Sequence, residues 1–232
     1  VYMCKKGKQN NLTHQLFVES FRDSVSQAFD CLVDFSENMI DSFIDDPIVQ
    51  AIPIVKLGVT AYNGAKSFYN YFQQKKLISF LGKLNSCTDE KNFIKMKEKI
   101  LNKPKYLLKE SELTLALLDK TIETEKSILL AECFASLIKA EFSEKIYTEV
   151  ILIIDQIFLS DLDTIKIVKD GTNDDVKAEE ISSLNRLVAS GAIRSCAFNG
   201  NGVSFGDYEL TSIGEYLSDV VTKYQCKDCS CN

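Results

Sequence analysis

The cysteines near the C-terminus are the residues whose types and spacing come nearest to a metal site. Cys226, Cys229 and Cys231 lie close together, and three thiolates at this spacing can ligate zinc or copper(I) with a fourth ligand from elsewhere. No second cysteine pair at matching spacing accompanies them. We therefore predict an unstructured, redox-sensitive tail and no cofactor, with a metal site as the alternative.

Other residue types that carry catalysis are scarce. His14 is the single histidine, so histidine-based triads and multi-histidine zinc sites have little to use. The turn 199–202 lacks the Lys-Ser/Thr that follows a phosphate-binding loop. Asp161 and Asp163 form an Asp-x-Asp pair, which indicates a helix start, with a metal site as the alternative. The sequence predicts that the chain is not an enzyme, and no catalytic residue is assigned.

A strongly basic stretch lies between Lys66 and Lys109. It holds eleven lysines against three acidic residues, a local charge of +8, and aromatic residues lie among the lysines. Such a pattern favours a solvated helical face with its aromatics turned inward, with binding to an anionic membrane surface or to single-stranded nucleic acid as the alternative. The candidate residues for an anionic partner are Lys66, Lys75, Lys76, Lys83, Lys95 and Lys99.

The composition limits the setting of the protein. A net charge of −6 argues against general binding of polyanions, and the 45% hydrophobic content can supply a real core. The eight cysteines show no compact, repeated spacing, and no apolar leader is apparent at the start. We therefore expect a cytoplasmic protein with reduced thiols, in peripheral contact with a membrane at most.

Two apolar stretches near the N-terminus each allow two interpretations. Apolar residues recur at alternating fours and threes from Phe21 to Met39, which predicts a helix lying on its own domain or pairing with another copy or a partner. The stretch 48–72 mixes branched apolar residues with small ones. It predicts a close-packed buried helix, with membrane contact as the alternative.

The stretch 181–217 has the order helix, hairpin, helix. Gly191 can end the first helix in the left-handed conformation, and the Asn-Gly pairs within 199–202 supply the positive φ of a tight hairpin. Thr211 can cap the last helix. This order resembles the second half of a winged-helix domain.

The residues that would read DNA in a winged-helix domain are Asn185 and Arg186 on the helix before the hairpin and Arg194 on the wing. Across 171–225, however, four cations face eight acidic residues. Because neutralising phosphate supplies most nonspecific DNA affinity, we predict a lobe used for packing or protein contact. A DNA-binding transcriptional regulator is the alternative.

The predicted fold is mainly α, a helical bundle followed by a winged-helix-like lobe with one β-hairpin. The small numbers of glycines (10) and prolines (3) favour long uninterrupted helices. The predicted segments are an N-terminal amphipathic helix (1–45), a helical domain with the basic stretch (46–142), the winged-helix-like domain (143–224) and the cysteine-rich tail (225–232).

The order of several hydrophobic signatures resembles the abortive-infection alpha family of bacterial and prophage-carried helical proteins. The signatures are Asp46–Pro47, Ile52–Val55, Phe68–Leu81, Ile157–Leu162 and Leu184–Gly214. The resemblance spans residues 46 to about 220 and carries over no catalytic residue. It implies antiviral defence in a phage–host conflict and a non-enzymatic role.

Taken together, the sequence predicts a non-enzymatic interaction protein, a phage-defence effector or prophage accessory protein. It would act through contacts with a protein partner, with a second copy of the chain or with an anionic membrane surface. Nucleic acid is the less favoured partner, because the winged-helix-like lobe is acidic.

Overall fold

The computed structural model of the chain describes residues 15–16, 18–25, 47, 51–55, 67–171, 176–196 and 204–225. These residues are mainly α-helical and include one two-stranded antiparallel sheet, which confirms the predicted fold class. The chain forms two compact units, Val1–Lys139 and Ala140–Asn232. The division into four functional segments stays a prediction.

The first unit is built on a long helix packed against a largely buried one. The final helix of the unit is buried along residues 127–138, and it packs most extensively on the long first helix. Most of these buried residues are apolar, and the polar ones among them are Ser127, Glu132 and Ser136. The helices are α1 (Ser67–Cys87), α2 (Glu90–Asn102), α3 (Leu108–Lys120) and α4 (Thr124–Ile138).

Three phenylalanines meet at the centre of this unit. Phe21, from the helical segment 18–25, lies 5.5 Å from Phe80 and 6.5 Å from Phe134 between ring centroids. Phe80 and Phe134 meet edge to face at 5.8 Å, a favoured aromatic geometry. Phe21 and Val25 are thus buried in their own unit. The remainder of the predicted seam, from Ala28 to Met39, lies outside the described residues.

Part of the second N-terminal stretch also belongs to this core. Ile52, Ile54 and Val55 are buried, and the backbone N–H of Ile54 donates to Ser24 Oγ at 2.9 Å. These residues are therefore packed inside the unit, as the buried interpretation predicted. Residues 56–66 lie outside the part of the chain that the structure describes.

Over the described residues of the second unit, three helices pack against a short hairpin, and a further helix packs on two of them. The two strands pair Ile193 with Leu210, Arg194 with Glu209 and Ser195 with Tyr208. The predicted turn at 199–202 lies outside the described residues. The elements are α5 (Glu144–Gln156), α6 (Asp161–Asp170), α7 (Ala178–Ser190), β1 (Ile193–Ser195), β2 (Tyr208–Leu210) and α8 (Ser212–Gln225).

The two predicted helix boundaries around the hairpin are confirmed. Gly191 ends α7 with φ of 81°, in the left-handed region that favours glycine. Thr211 Oγ1 accepts the backbone N–H of Gly214 at 3.0 Å and so caps α8. The same hydroxyl donates to the carbonyl oxygen of Gly191 at 2.6 Å, which ties the start of α8 to the end of α7.

A close backbone approach explains why position 214 holds a glycine. A Cβ atom there would lie 1.9 Å from the carbonyl oxygen of Ala192, far inside van der Waals contact. Helix α8 can therefore approach the start of β1 this closely only because residue 214 has no side chain.

Gly214→Ala is expected to lower the free energy of unfolding by about 2 kcal/mol or more, because the backbone must move to admit the methyl group. Helix propensity alone predicts the opposite sign, a gain of about 1 kcal/mol. Urea unfolding followed by circular dichroism measures the difference. Ser212→Ala, at an exposed position of the same helix, is the control and should change stability by less than about 0.5 kcal/mol. A stabilised Gly214→Ala protein would contradict the close approach.

Candidate functional site

A cluster of hydrogen-bonded polar groups surrounds Asp161, at the start of α6 in the second unit. Its side chain is fully buried and accepts the backbone N–H of Phe158 at 2.8 Å and the hydroxyl of Ser183 at 2.7 Å. Arg186 donates to both carboxylate oxygens, from Nε at 2.9 Å and from a terminal nitrogen at 2.6 Å. This two-pronged geometry is the strongest that an arginine and a carboxylate form.

Two further contacts complete the Asp161 cluster. The Arg186 guanidinium carbon lies 4.6 Å from the centre of the Phe158 ring, a cation–π contact. The Ser183 and Thr164 hydroxyls are 2.9 Å apart. Because a carboxylate only accepts, Ser183 gives its single proton to Asp161, and Thr164 then donates to Ser183. The cluster therefore joins α6 to α7.

The pKa of Asp161 follows from these contacts. Burial opposes its ionisation, but the hydrogen bonds from Arg186, Phe158 and Ser183 outweigh burial and hold the pKa below the ordinary value of 3.8. The carboxylate is therefore charged at neutral pH and does not act as a general acid there, and both of its oxygens already accept hydrogen bonds from the protein. The cluster is built to hold two helices together.

The Asp-x-Asp pair is a helix start, as its preferred interpretation predicted. The carboxylate oxygens of Asp161 are occupied by protein donors, while Asp163 accepts from Gln225 Nε2 at 3.1 Å. Over the described ranges, no three histidine, cysteine or acidic residues gather as a metal would require. Cys226, Cys229, Cys231 and His14 lie outside those ranges.

The three DNA-reading candidates have different surroundings. Asn185 is exposed on α7, whereas Arg186 is bound to the buried Asp161. Arg194 pairs with Glu209 directly across the two strands. Both arginines therefore already face a carboxylate of their own unit.

Two of the predicted anion-binding lysines contact the interior of the first unit. Lys76 is buried, and its Nζ donates to the carbonyl oxygen of Thr121 at 2.7 Å, at the C-terminal end of α3. Burial lowers the pKa of Lys76, although the charge of Asp119 acts in the opposite direction. Lys83 forms a largely buried ion pair with Glu132 at 3.1 Å. Neither ammonium group is presented to an external partner.

The Lys83–Glu132 pair lies beside a cysteine. Burial, and next the negative charge of Glu132, raise the pKa of Cys87 to about 12. The thiol is therefore protonated at neutral pH and is a poor nucleophile, since the thiolate is the reactive form. Of the other predicted lysines, Lys75 is partly exposed and Lys66 lies outside the described residues.

The lysines predicted on α2 are in a different position. Lys95 and Lys99 are exposed, and Lys91 is exposed on the same helix. The face toward the core carries Phe93 and Met96. The lysines therefore lie on the solvent side of an amphipathic helix, where their charges can reach a partner.

Sequence reasoning missed two apolar residues on the solvent side of α2. Ile94 is 49% exposed and Leu101 is 82% exposed, in a helix whose core face is already supplied with apolar side chains. The sequence contains a signal for this pair, because residues seven apart lie on one side of a helix and Phe93 and Met96 lie on another. We call the exposed group Lys91, Ile94, Lys95, Lys99 and Leu101 the α2 surface.

Comparisons with protein-family models, with curated proteins and with solved structures find no match to the chain. Separately, none of the helices within the described ranges combines the length and the apolar character needed to cross a bilayer.

Arg186→Leu is expected to cost about 3–5 kcal/mol of unfolding free energy near neutral pH, because it leaves the Asp161 charge buried without its cation. The folded-state pKa of Asp161 lies below its ordinary value of 3.8, so ionisation stabilises the wild type above that pH and this contribution is lost as the pH falls further. The difference between wild type and variant should therefore shrink in acid. Urea unfolding at about pH 7 and about pH 3 measures both.

The control for this prediction is Arg194→Leu. It makes the same substitution at an exposed pair with Glu209 and should cost less than about 1 kcal/mol. Equal costs for the two variants, or a cost of Arg186→Leu that does not depend on pH, would contradict the role given to the buried pair.

Proposed function

We propose that the chain is a non-enzymatic interaction protein that binds an anionic partner through the α2 surface. The observation that carries the proposal is the exposure of Lys95 and Lys99 on a helix whose opposite face is buried. The buried carboxylates Asp161 and Glu132, in contrast, are bound to cations of their own units.

The distribution of charge supports a local rather than a general attraction. The chain as a whole carries −6, but five lysines and one acidic residue lie between Ile94 and Lys105. Lys103 and Lys105, which follow α2, are exposed as well. A compact positive region on an acidic chain attracts anions to one place and orients the molecule as it approaches them.

The DNA-binding regulator is the competing proposal, and the arginine contacts weigh against it. Arg186 and Arg194 would have to leave Asp161 and Glu209 before either could contact a phosphate or a base. Breaking the Asp161 pair would leave a buried charge without its cation, which is costly. Duplex DNA is therefore one of the probes that distinguish the two proposals.

The double variant Lys95→Gln/Lys99→Gln is expected to bind an anionic surface about 30-fold more weakly, because each lysine contributes about 1 kcal/mol of binding free energy. Binding is measured at low salt to three probes, namely phosphatidylglycerol vesicles, random duplex DNA and polyglutamate. Raising the salt should weaken binding further, because exposed charges are screened.

The matched control replaces Lys145 and Lys177 with glutamine. Both are exposed lysines of the second unit, so net charge changes equally while α2 stays intact. This control should bind like the wild type. Failure of the wild type to bind any of the three probes would sink the proposed function, and DNA binding that is lost in Arg194→Leu but not in the α2 variant would favour the regulator.

The resemblance to the abortive-infection alpha family adds a proposal about the biological setting, in which the chain acts in the cytoplasm against phage. Expression of the wild-type chain in a bacterial host is then expected to lower plaque counts at least about tenfold, and the Lys95→Gln/Lys99→Gln variant should lose this protection because it loses its partner. Plaque counts on cells expressing equal amounts of the two proteins test it. Equal plaque counts with and without the wild-type chain, across a panel of phages, would contradict the setting.

A further inference from the structure

The α2 surface combines exposed aliphatic side chains with exposed lysines on one helix. Ile94 and Leu101 stand two helical turns apart on one side, and Lys91 and Lys95 lie on the neighbouring strip of the same helix. Phe93 and Met96 already hold the helix to its unit. The two exposed aliphatic side chains are therefore available to contact a partner outside the unit.

The chemistry of this combination distinguishes among anionic partners. Single-stranded nucleic acid is bound through aromatic stacking as well as charge, and Ile94 and Leu101 cannot stack on bases. An acidic protein would need an apolar pocket shaped to receive them. A bilayer with anionic headgroups offers phosphate charge and acyl chains side by side and requires no matching shape.

We propose that the α2 surface binds the headgroup region of an anionic lipid bilayer. Ile94 and Leu101 reach the boundary of the acyl chains, while Lys95, Lys99 and Lys91 lie against headgroup phosphates. The inference rests on the proposed function and names its partner. The charges are complementary, and the apolar side chains give the bilayer an advantage over anions that carry charge alone.

Two exposed acidic residues on this side of α2, Glu90 and Glu98, oppose this contact, and Glu98 makes it testable in both directions. Glu98 is exposed and lies four residues after Ile94 and three before Leu101, between them on the same side of α2. Its carboxylate is repelled by anionic headgroups. Glu98→Gln removes the repulsion and is expected to raise the affinity for anionic vesicles about fivefold.

The test is flotation of the full chain with vesicles of phosphatidylglycerol and phosphatidylcholine, compared with vesicles of phosphatidylcholine alone. The wild type should float only with the anionic vesicles. The double variant Ile94→Ser/Leu101→Ser should bind at least about tenfold more weakly, since two aliphatic side chains no longer enter the lipid. Both residues are exposed, so circular dichroism should show the wild-type helix content.

The structure offers a matched control in the second unit. Ile181 and Val188 on α7 are each 41% exposed and also seven residues apart, but no lysine lies between them. Replacing both with serine should leave vesicle binding unchanged. Vesicle binding that resists the α2 serines but is lost with Lys95→Gln/Lys99→Gln would overturn the bilayer inference and leave the proposed function standing.

Two other results separate the inference from the proposed function. A wild-type chain that binds duplex DNA or polyglutamate through Lys95 and Lys99 but ignores vesicles overturns the inference alone. A wild-type chain that binds none of the anionic probes overturns both. Tighter vesicle binding by Glu98→Gln, together with weaker binding by the α2 serines, supports the inference, because a helix with a purely structural role would change in neither direction.

Discussion

A buried carboxylate is the constraint around which the second unit is arranged. Asp161 has no contact with water, so its charge is tolerable only while Arg186, Ser183 and the Phe158 N–H all donate to it. Those donors come from α7 and from the turn before α6, which sets how the two helices pack. The hairpin follows α7 directly, and α8 is tied to it through Thr211. Because the Arg186 guanidinium is bound to Asp161, it is not available to bind a ligand.

The same rule governs the lysines of the first unit. A cation that turns inward must find acceptors, and Lys76 finds them at the end of α3 while Lys83 finds Glu132 on α4. These two side chains hold helices together, and their charges are therefore not available to a partner outside the unit. The basic stretch therefore carries less binding capacity than its composition suggests, and the capacity that is exposed on α2 lies at Lys91, Lys95 and Lys99.

Local patterns predicted the elements, but long-range contacts decided the roles of side chains. The helical class, the hairpin, the left-handed Gly191 and the Thr211 cap each follow from a few neighbouring residues. The partners of Lys76 and Lys83, in contrast, lie more than 40 residues further along the chain, where no spacing rule reaches. Leu101 was within reach of periodicity, since α2 already had its core face at Phe93 and Met96. Its exposure therefore follows from the helical period and not from the pattern of charge.

Distance decides how an acidic chain can bind an anionic surface. At physiological salt, charges are screened over about 8 Å, so the net charge of −6 acts only weakly on a bilayer from farther away. Lysines in direct contact are within that distance, and burial of the aliphatic side chains of Ile94 and Leu101 is not weakened by charge screening. Two aliphatic groups and a few lysines bury little area, and even a single acyl chain gives only marginal membrane binding. The membrane contact proposed for the α2 surface would therefore be reversible and would depend on the density of anionic lipid.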